Sequence, residues 1–150
     1  MIPLPEPEVL ARLLSQVTST MAGISFSPTE AVLPSMDAQW LTAVLPIAGA
    51  RPLTIGLASD LVSCQALTAA LFSCLPSEVD TAMSSDSLRE LANMTAGLIK
   101  SSLKLDQALG LPVVRPGAIT LFLPPNGQSV MLRADQLGLL LWVTEGLPST

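Results

Sequence analysis

The stretch 86–109 is the longest helical pattern in the chain, and it dictates what the remaining residues must provide. A helix advances about 100° per residue, so with Asp86 at zero, Glu90 falls at about 40°, Asn93 at about −20°, Gly97 at about 20° and Lys100 at about −40°. Leu88, Leu91, Ala92, Leu98 and Ile99 cluster on the opposite side. Such a helix must lie on an apolar core and leave a narrow polar stripe exposed. Gly110 and Pro112 supply its stop signals, one as a C-cap and one as a breaker.

The other segments supply that core. Apolar residues at 9, 10, 13, 14 and 17 predict an amphipathic helix after Pro7, closed by Gly23. A short alternating stretch follows at 24–27, then a turn near Pro34. Segments 39–47 and 53–58 read as a hairpin joined through Gly49, Ala50, Arg51 and Pro52. Asp60 is a candidate N-cap for a mostly buried helix over 61–75, ended by Pro76. Past a polar bridge at 77–85 and the long helix, strands are expected at 118–123, 129–133 and 139–144, with a turn at 124–127. The segment 137–143 has the character of an inner strand or of an interface edge. Hairpins outnumber crossover units, so the predicted class is α+β: one domain over residues 1–150, a mainly antiparallel sheet with helices packed on one face.

Composition removes several function classes. Apolar residues make up 49% of the 150 and charged residues 13%, the reverse of a disordered polyelectrolyte. Seven basic residues against twelve acidic ones, a net charge of −5, leave no footprint for nucleic-acid phosphates. Histidine is absent, which excludes Ser-His-Asp and Cys-His catalysis and every histidine-dependent metal site. Cys64 and Cys74 are too few for a disulfide scaffold and read as small buried hydrophobes. The chain starts with prolines and acids rather than a basic, apolar leader, and its longest apolar run, 61–75, is shorter than the roughly 20 residues a span needs. The expectation is a soluble, cytoplasmic protein with no membrane contact, whose apolar composition points to an interface with another subunit.

The polar stripe has two structural readings and one functional one. Ser87 and Glu90 have the spacing of a capping box, and a polar stripe on a surface helix is ordinarily a solvated face. Asn93 fits neither, because its amide competes for backbone partners in mid-helix. Gly97 costs about 1 kcal/mol relative to alanine there. A helix that carries both on its outer face is suited to close approach by another surface.

The run from Glu90 through Asn93 and Gly97 to Lys100 resembles the signature helix of the CheC/CheX/FliY phosphatases of bacterial chemotaxis. That family's pattern is Asp or Ser, three residues, Glu, two residues, Asn, then twenty-two residues to a Pro. Asp86, Glu90, Asn93 and Pro116 occupy those four positions, and Gly97 and Lys100 are also typical of the family's helix. The motif occurs once, as in CheX-like members, whereas CheC carries two such helices. Thr95 departs from the family, which commonly has a larger apolar residue there.

The resemblance implies a CheX-like fold, a homodimer, and removal of phosphate from the aspartyl-phosphate of a response-regulator receiver domain such as CheY. It implies Asn93 as the residue that orients the attacking water and Glu90 as the partner of a receiver lysine, with Asp86, Gly97, Lys100 and Pro116 at the partner-binding surface. Asp86 and Pro116 would shape the helix start and the loop beyond it. It implies no cofactor or metal of the chain's own; Mg²⁺ would belong to the receiver. Two other readings stay open on the sequence: a non-catalytic module that binds a receiver or another signalling protein, and an unrelated α+β dimerisation module.

Overall fold

The computed structural model describes residues 1–30, 39–116 and 126–148. Helix α1 (Pro7–Ala22) is followed by the two-residue strand β1 (Ser27–Pro28), then by β2 (Trp40–Ile47) and β3 (Leu53–Asp60). Helices α2 (Leu61–Phe72) and α3 (Thr81–Ser102) follow, and β4 (Val113–Pro116), β5 (Gly127–Ala134) and β6 (Leu137–Glu145) complete the described elements. The strands form one antiparallel sheet in the order β1-β5-β6-β3-β2-β4, so the α+β expectation holds. β6 lies between β5 and β3, which resolves 137–143 as an inner strand. The strand expected at 118–123 and the turn expected near Pro34 lie outside the described residues.

All three helices share one core with one face of the sheet. Alternation along β2, β3 and β6 aims Leu45, Ile55 and Leu141 at that core, where they meet Leu14 of α1, Leu67 of α2 and Leu91 of α3, each at most 1% exposed. Among the described residues the opposite face holds a smaller cluster of Trp40, Ala58 and Leu140 with Met131 and Trp142 against it. Trp142 lies flat over Gly56, its register partner, where a Cβ would stand 1.9 Å from the indole.

The ends of the helices correct several sequence expectations. The Asp60 cap is present: its carboxylate accepts the Ser63 N–H at 3.1 Å. α2 stops at Phe72, before Pro76, because Ser73 adopts a left-handed conformation with φ 53°. α3 starts at Thr81 rather than Asp86, since the Asp80 carboxylate accepts the Met83 N–H at 2.8 Å. Ser87 is therefore in mid-helix and buried, and the Ser87–Glu90 capping box does not form; nor does Asp86 shape a helix start. Cys64 is buried as expected, and burial raises its thiol pKa, while Cys74 is only half-buried.

The long helix also ends seven residues earlier than the pattern predicts, at Ser102. Lys104 takes a left-handed conformation with φ 55°, which closes the helix, and Gln107 beyond it pairs elsewhere. Its amide donates to the carbonyls of Arg51 (2.8 Å) and Ala48 (3.2 Å), and its oxygen accepts the Arg51 N–H at 2.9 Å. These bonds satisfy the polar backbone of the β2–β3 turn, which a continuing helix would leave unpaired. Arg51 itself forms a two-pronged pair with Glu145 (3.1 and 2.8 Å), and that hydrogen bond raises its pKa. The segment after α3 is thus drawn back along β2.

Thr95 sits in the core face of α3 at 0% exposure, and its hydroxyl has no hydrogen-bond partner among the described residues. An unpaired buried hydroxyl costs on the order of 1–3 kcal/mol. Thr95→Val keeps the branched shape and removes the hydroxyl, so it should raise stability by about 1 kcal/mol. A chemical denaturation series checks this, and a variant less stable than wild type would show that the hydroxyl is satisfied.

Candidate functional site

α3 is oriented by its apolar side. Leu88, Leu91, Ala92, Ala96 and Ile99 are each at most 1% exposed and sit in the shared core. With that side fixed, the helix period turns Asp86, Glu90 and Asn93 to solvent, and all three are exposed. Glu90 and Asn93 are three residues apart on one face, a spacing that puts their Cβ atoms about 5–6 Å apart. Neither side chain has a hydrogen-bond or ion-pair partner among the described residues. Two polar groups side by side, free and facing out, are available to a partner.

The stripe forms one wall of a groove of about 450 Å³. Asp86, Arg89, Glu90 and Asn93 line it from α3, and Leu109, Gly110, Leu111 and Pro112 line it from the segment that returns along β2. That second wall is held close by Gly110. Its N–H donates to the Pro46 carbonyl at 2.7 Å, and a Cβ there would stand 2.7 Å from the same oxygen. Any larger residue would push the wall away from β2.

The remaining candidates lie apart from the groove. Gly97 and Lys100 continue the stripe toward the C-terminal end of α3 and are half-buried. Among the described residues, no heavy atom beyond its chain neighbours and the helix's own backbone lies within 4 Å of a Cβ built on Gly97, so packing there does not require glycine. The Lys100 carbonyl accepts the N–H groups of Leu103 and Leu105, and its positive side chain suits the helix end. Pro116 is the last residue of β4, opposite Leu41, so it belongs to an edge strand rather than to a loop. It does not line the groove.

Arg89 and Leu111 were not singled out from the sequence. Arg89 falls at about −60° on the same helical wheel, beside the stripe, so the period alone is enough to find it. Its guanidinium pairs with Asp86 at 3.0 Å, which makes Asp86 a neighbour-facing carboxylate as well as a groove residue. Leu111 gives no periodic signal, because its place beside α3 depends on the Gly110–Pro46 contact.

Among the described residues no three or more Cys, Asp or Glu side chains are grouped so as to hold a metal ion, and no helix is long and apolar enough to cross a membrane. The groove offers an amide, carboxylates and one guanidinium. Such groups can orient a water and register a cationic partner, but they include no nucleophile activated by a base.

Comparison with known proteins places this arrangement. No curated protein matches the chain by sequence. Among solved structures, the chemotaxis protein CheX from Vibrio vulnificus superposes with a TM-score of 0.75 at 15% identity, over 91% of this chain and 93% of that one. A CheX from Desulfovibrio desulfuricans gives 0.72 at 18% identity, over 91% and 96%. A chain of the CheX–CheY–BeF3–Mg²⁺ complex from Borrelia burgdorferi gives 0.70 at 15% identity, over 95% and 98%. At these identities the likeness is one of fold. The sequence itself matches the family model for chemotaxis phosphatase CheX over residues 41–132, a span that runs from β2 through α3 into β5. With the motif helix inside that span and the fold shared end to end, the chain belongs to the CheX chemotaxis phosphatase family.

Proposed function

We propose that the chain is a phosphatase for the aspartyl-phosphate of a response-regulator receiver domain, with α3 as the helix that enters the receiver's site. The observation that carries this reading is the placement of Glu90 and Asn93 side by side, exposed and without partners among the described residues, on the helix that bears the family motif. The CheX–CheY–BeF3–Mg²⁺ complex supports a receiver as the partner, since BeF3 is a chemical stand-in for a phosphoryl group.

The residue types suit the reaction. An acyl phosphate has a good leaving group, and the receiver supplies Mg²⁺ and a lysine to its phosphoryl oxygens. The task left to a phosphatase is to place a water in line with the bond that breaks. The Asn93 side-chain oxygen accepts a hydrogen bond from that water, and a neutral amide does so without repelling the phosphoryl oxygens. The water oxygen forms the new bond to phosphorus while the bond to the receiver's aspartyl oxygen breaks, giving inorganic phosphate and a free carboxylate. Glu90, one turn back, pairs with the receiver lysine and fixes the register of docking. Asp86 holds Arg89 beside it, so the guanidinium is partnered rather than free to compete for Glu90. Gly97, one turn beyond Asn93, leaves open space for the partner's surface, Lys100 continues the same helix toward its end, and Pro116 would meet the partner separately, from the edge strand β4. A receiver substrate puts the protein in the cytoplasm.

The decisive measurement is loss of acyl phosphate from phosphorylated receivers with Mg²⁺, wild type against Asn93→Ala. Turnover is expected to fall by about 10²–10³-fold, the scale for removing one positioning group, with stability changed by less than about 0.5 kcal/mol because the side chain is exposed. Binding by wild type with no acceleration would instead make the chain a receiver-binding module. Glu90→Lys should weaken docking at least tenfold by setting like charges together, and unchanged affinity would remove that role from Glu90. Gly97→Ala should raise stability by about 1 kcal/mol while raising KM for the receiver. An unchanged KM would show that the partner does not approach closely there.

A further inference from the structure

We propose that Leu111 is the apolar anchor that decides which receiver this phosphatase accepts, an inference that rests on the receiver-phosphatase reading. Leu111 is 85% exposed, the most exposed large apolar side chain of the described residues after Met1. It lines the groove that Asn93 and Glu90 line from the other side. The remaining apolar members of that wall are less exposed: Leu109 and Pro112 are half-buried. A single leucine therefore stands proud beside the polar pair.

Its exposure is built in by the backbone on both sides. Leu109 bridges to Ile47, and Gly110 is bonded to the Pro46 carbonyl with no room for a side chain of its own. Three residues after Gly110, Val113 is already paired with Val44. Only Leu111 and Pro112 span the interval, and the proline ring fixes φ at its position. A backbone held this way has little freedom left to lose when a partner covers the leucine, so only the side-chain rotamers are ordered on binding.

The division of chemistry across the groove points to specificity. Asn93 and Glu90 address a water, a phosphoryl group and a lysine, groups that the acyl-phosphate reaction needs in any receiver. Contacts common to all candidate partners cannot discriminate among them. Exposed charge pairs add little net affinity besides. Leu111 touches none of the reacting groups, so the surface it meets is free to differ between receivers. The partner it fits carries an apolar patch next to its phosphorylated aspartate, and a receiver with a charged side chain at that place is refused because the leucine would strip its water without replacing it.

The test measures steady-state dephosphorylation and binding of fluoroberyllate-treated receivers from the source organism, with Leu111→Ser, Leu111→Met and, as a control exposed elsewhere, Leu75→Ser. Leu111→Ser is expected to raise KM and Kd for the preferred receiver about tenfold or more, the loss due when a leucine no longer leaves water, with kcat within about twofold. Leu111→Met and Leu75→Ser should stay near wild type, and all three variants should melt with wild type. If wild type turns over the receiver and Leu111→Ser leaves both KM and Kd unchanged, the anchor role is overturned and the phosphatase reading stands. If wild type neither binds nor dephosphorylates any receiver, both fall together.

Discussion

The fixed rotation of α3 on the sheet is the constraint on which the site depends. Leu88, Leu91 and Ile99 are each at most 1% exposed on its inner side. Burying a large apolar side chain is worth about 1.5–3 kcal/mol, so turning the helix by one residue would forfeit roughly 5–9 kcal/mol, comparable to the whole net stability of a domain this size. No hydrogen bond from Glu90 or Asn93 to the rest of the chain is needed to aim them. Their direction is set by what lies on the opposite side of the same helix, and this leaves both side chains free for a partner.

The second wall of the groove is held by different forces. Gln107 satisfies the backbone of the β2–β3 turn, Gly110 bonds to Pro46, and Leu109 bridges to Ile47. Each contact acts on the hairpin formed by β2 and β3, the strands on which α3 also packs. Helix and returning segment are thus referenced to one rigid element. The groove's width follows from that shared support, and the Gly110 contact, with no space for a Cβ, keeps the returning segment tight against β2.

A site of this kind asks little of the chain in chemical terms. The groove contains no histidine or cysteine, and the reaction assigned to it uses an amide to place a water and a carboxylate to place a partner. In the proposed reaction the demanding parts, the metal and the activated phosphoryl group, would be the receiver's. A domain that contributes geometry rather than reactive groups can tolerate wide change elsewhere, which fits the fold this chain shares with CheX structures at 15–18% identity to each.

Much of this was legible in the residues. The 3.6-residue period separated Leu88, Leu91 and Ile99 from Asp86, Glu90 and Asn93, because periodicity records which side of a helix leaves water. Asp60 announced its cap, since a carboxylate beside free N–H groups is a local interaction. The limits of α3 were not legible. Its start lies in the serine-rich stretch around Asp86, where Ser84 and Ser87 are buried and so break the link between polarity and exposure. Its end is a left-handed turn at Lys104, a residue with no local preference for one, and just beyond it Gln107 reaches the backbone of Ala48 and Arg51, more than fifty residues away. Leu111 is the sharpest case. As sequence it is one leucine among many, and only the closure of residues 109–112 onto β2 brings it next to Asn93. The sequence by itself determined the helix faces and the chemistry they carry, through local periodicity and short-range hydrogen bonds. Tertiary structure alone decided where the helix stops and what stands across the groove, because those depend on contacts between residues that are neighbours only once the sheet has formed.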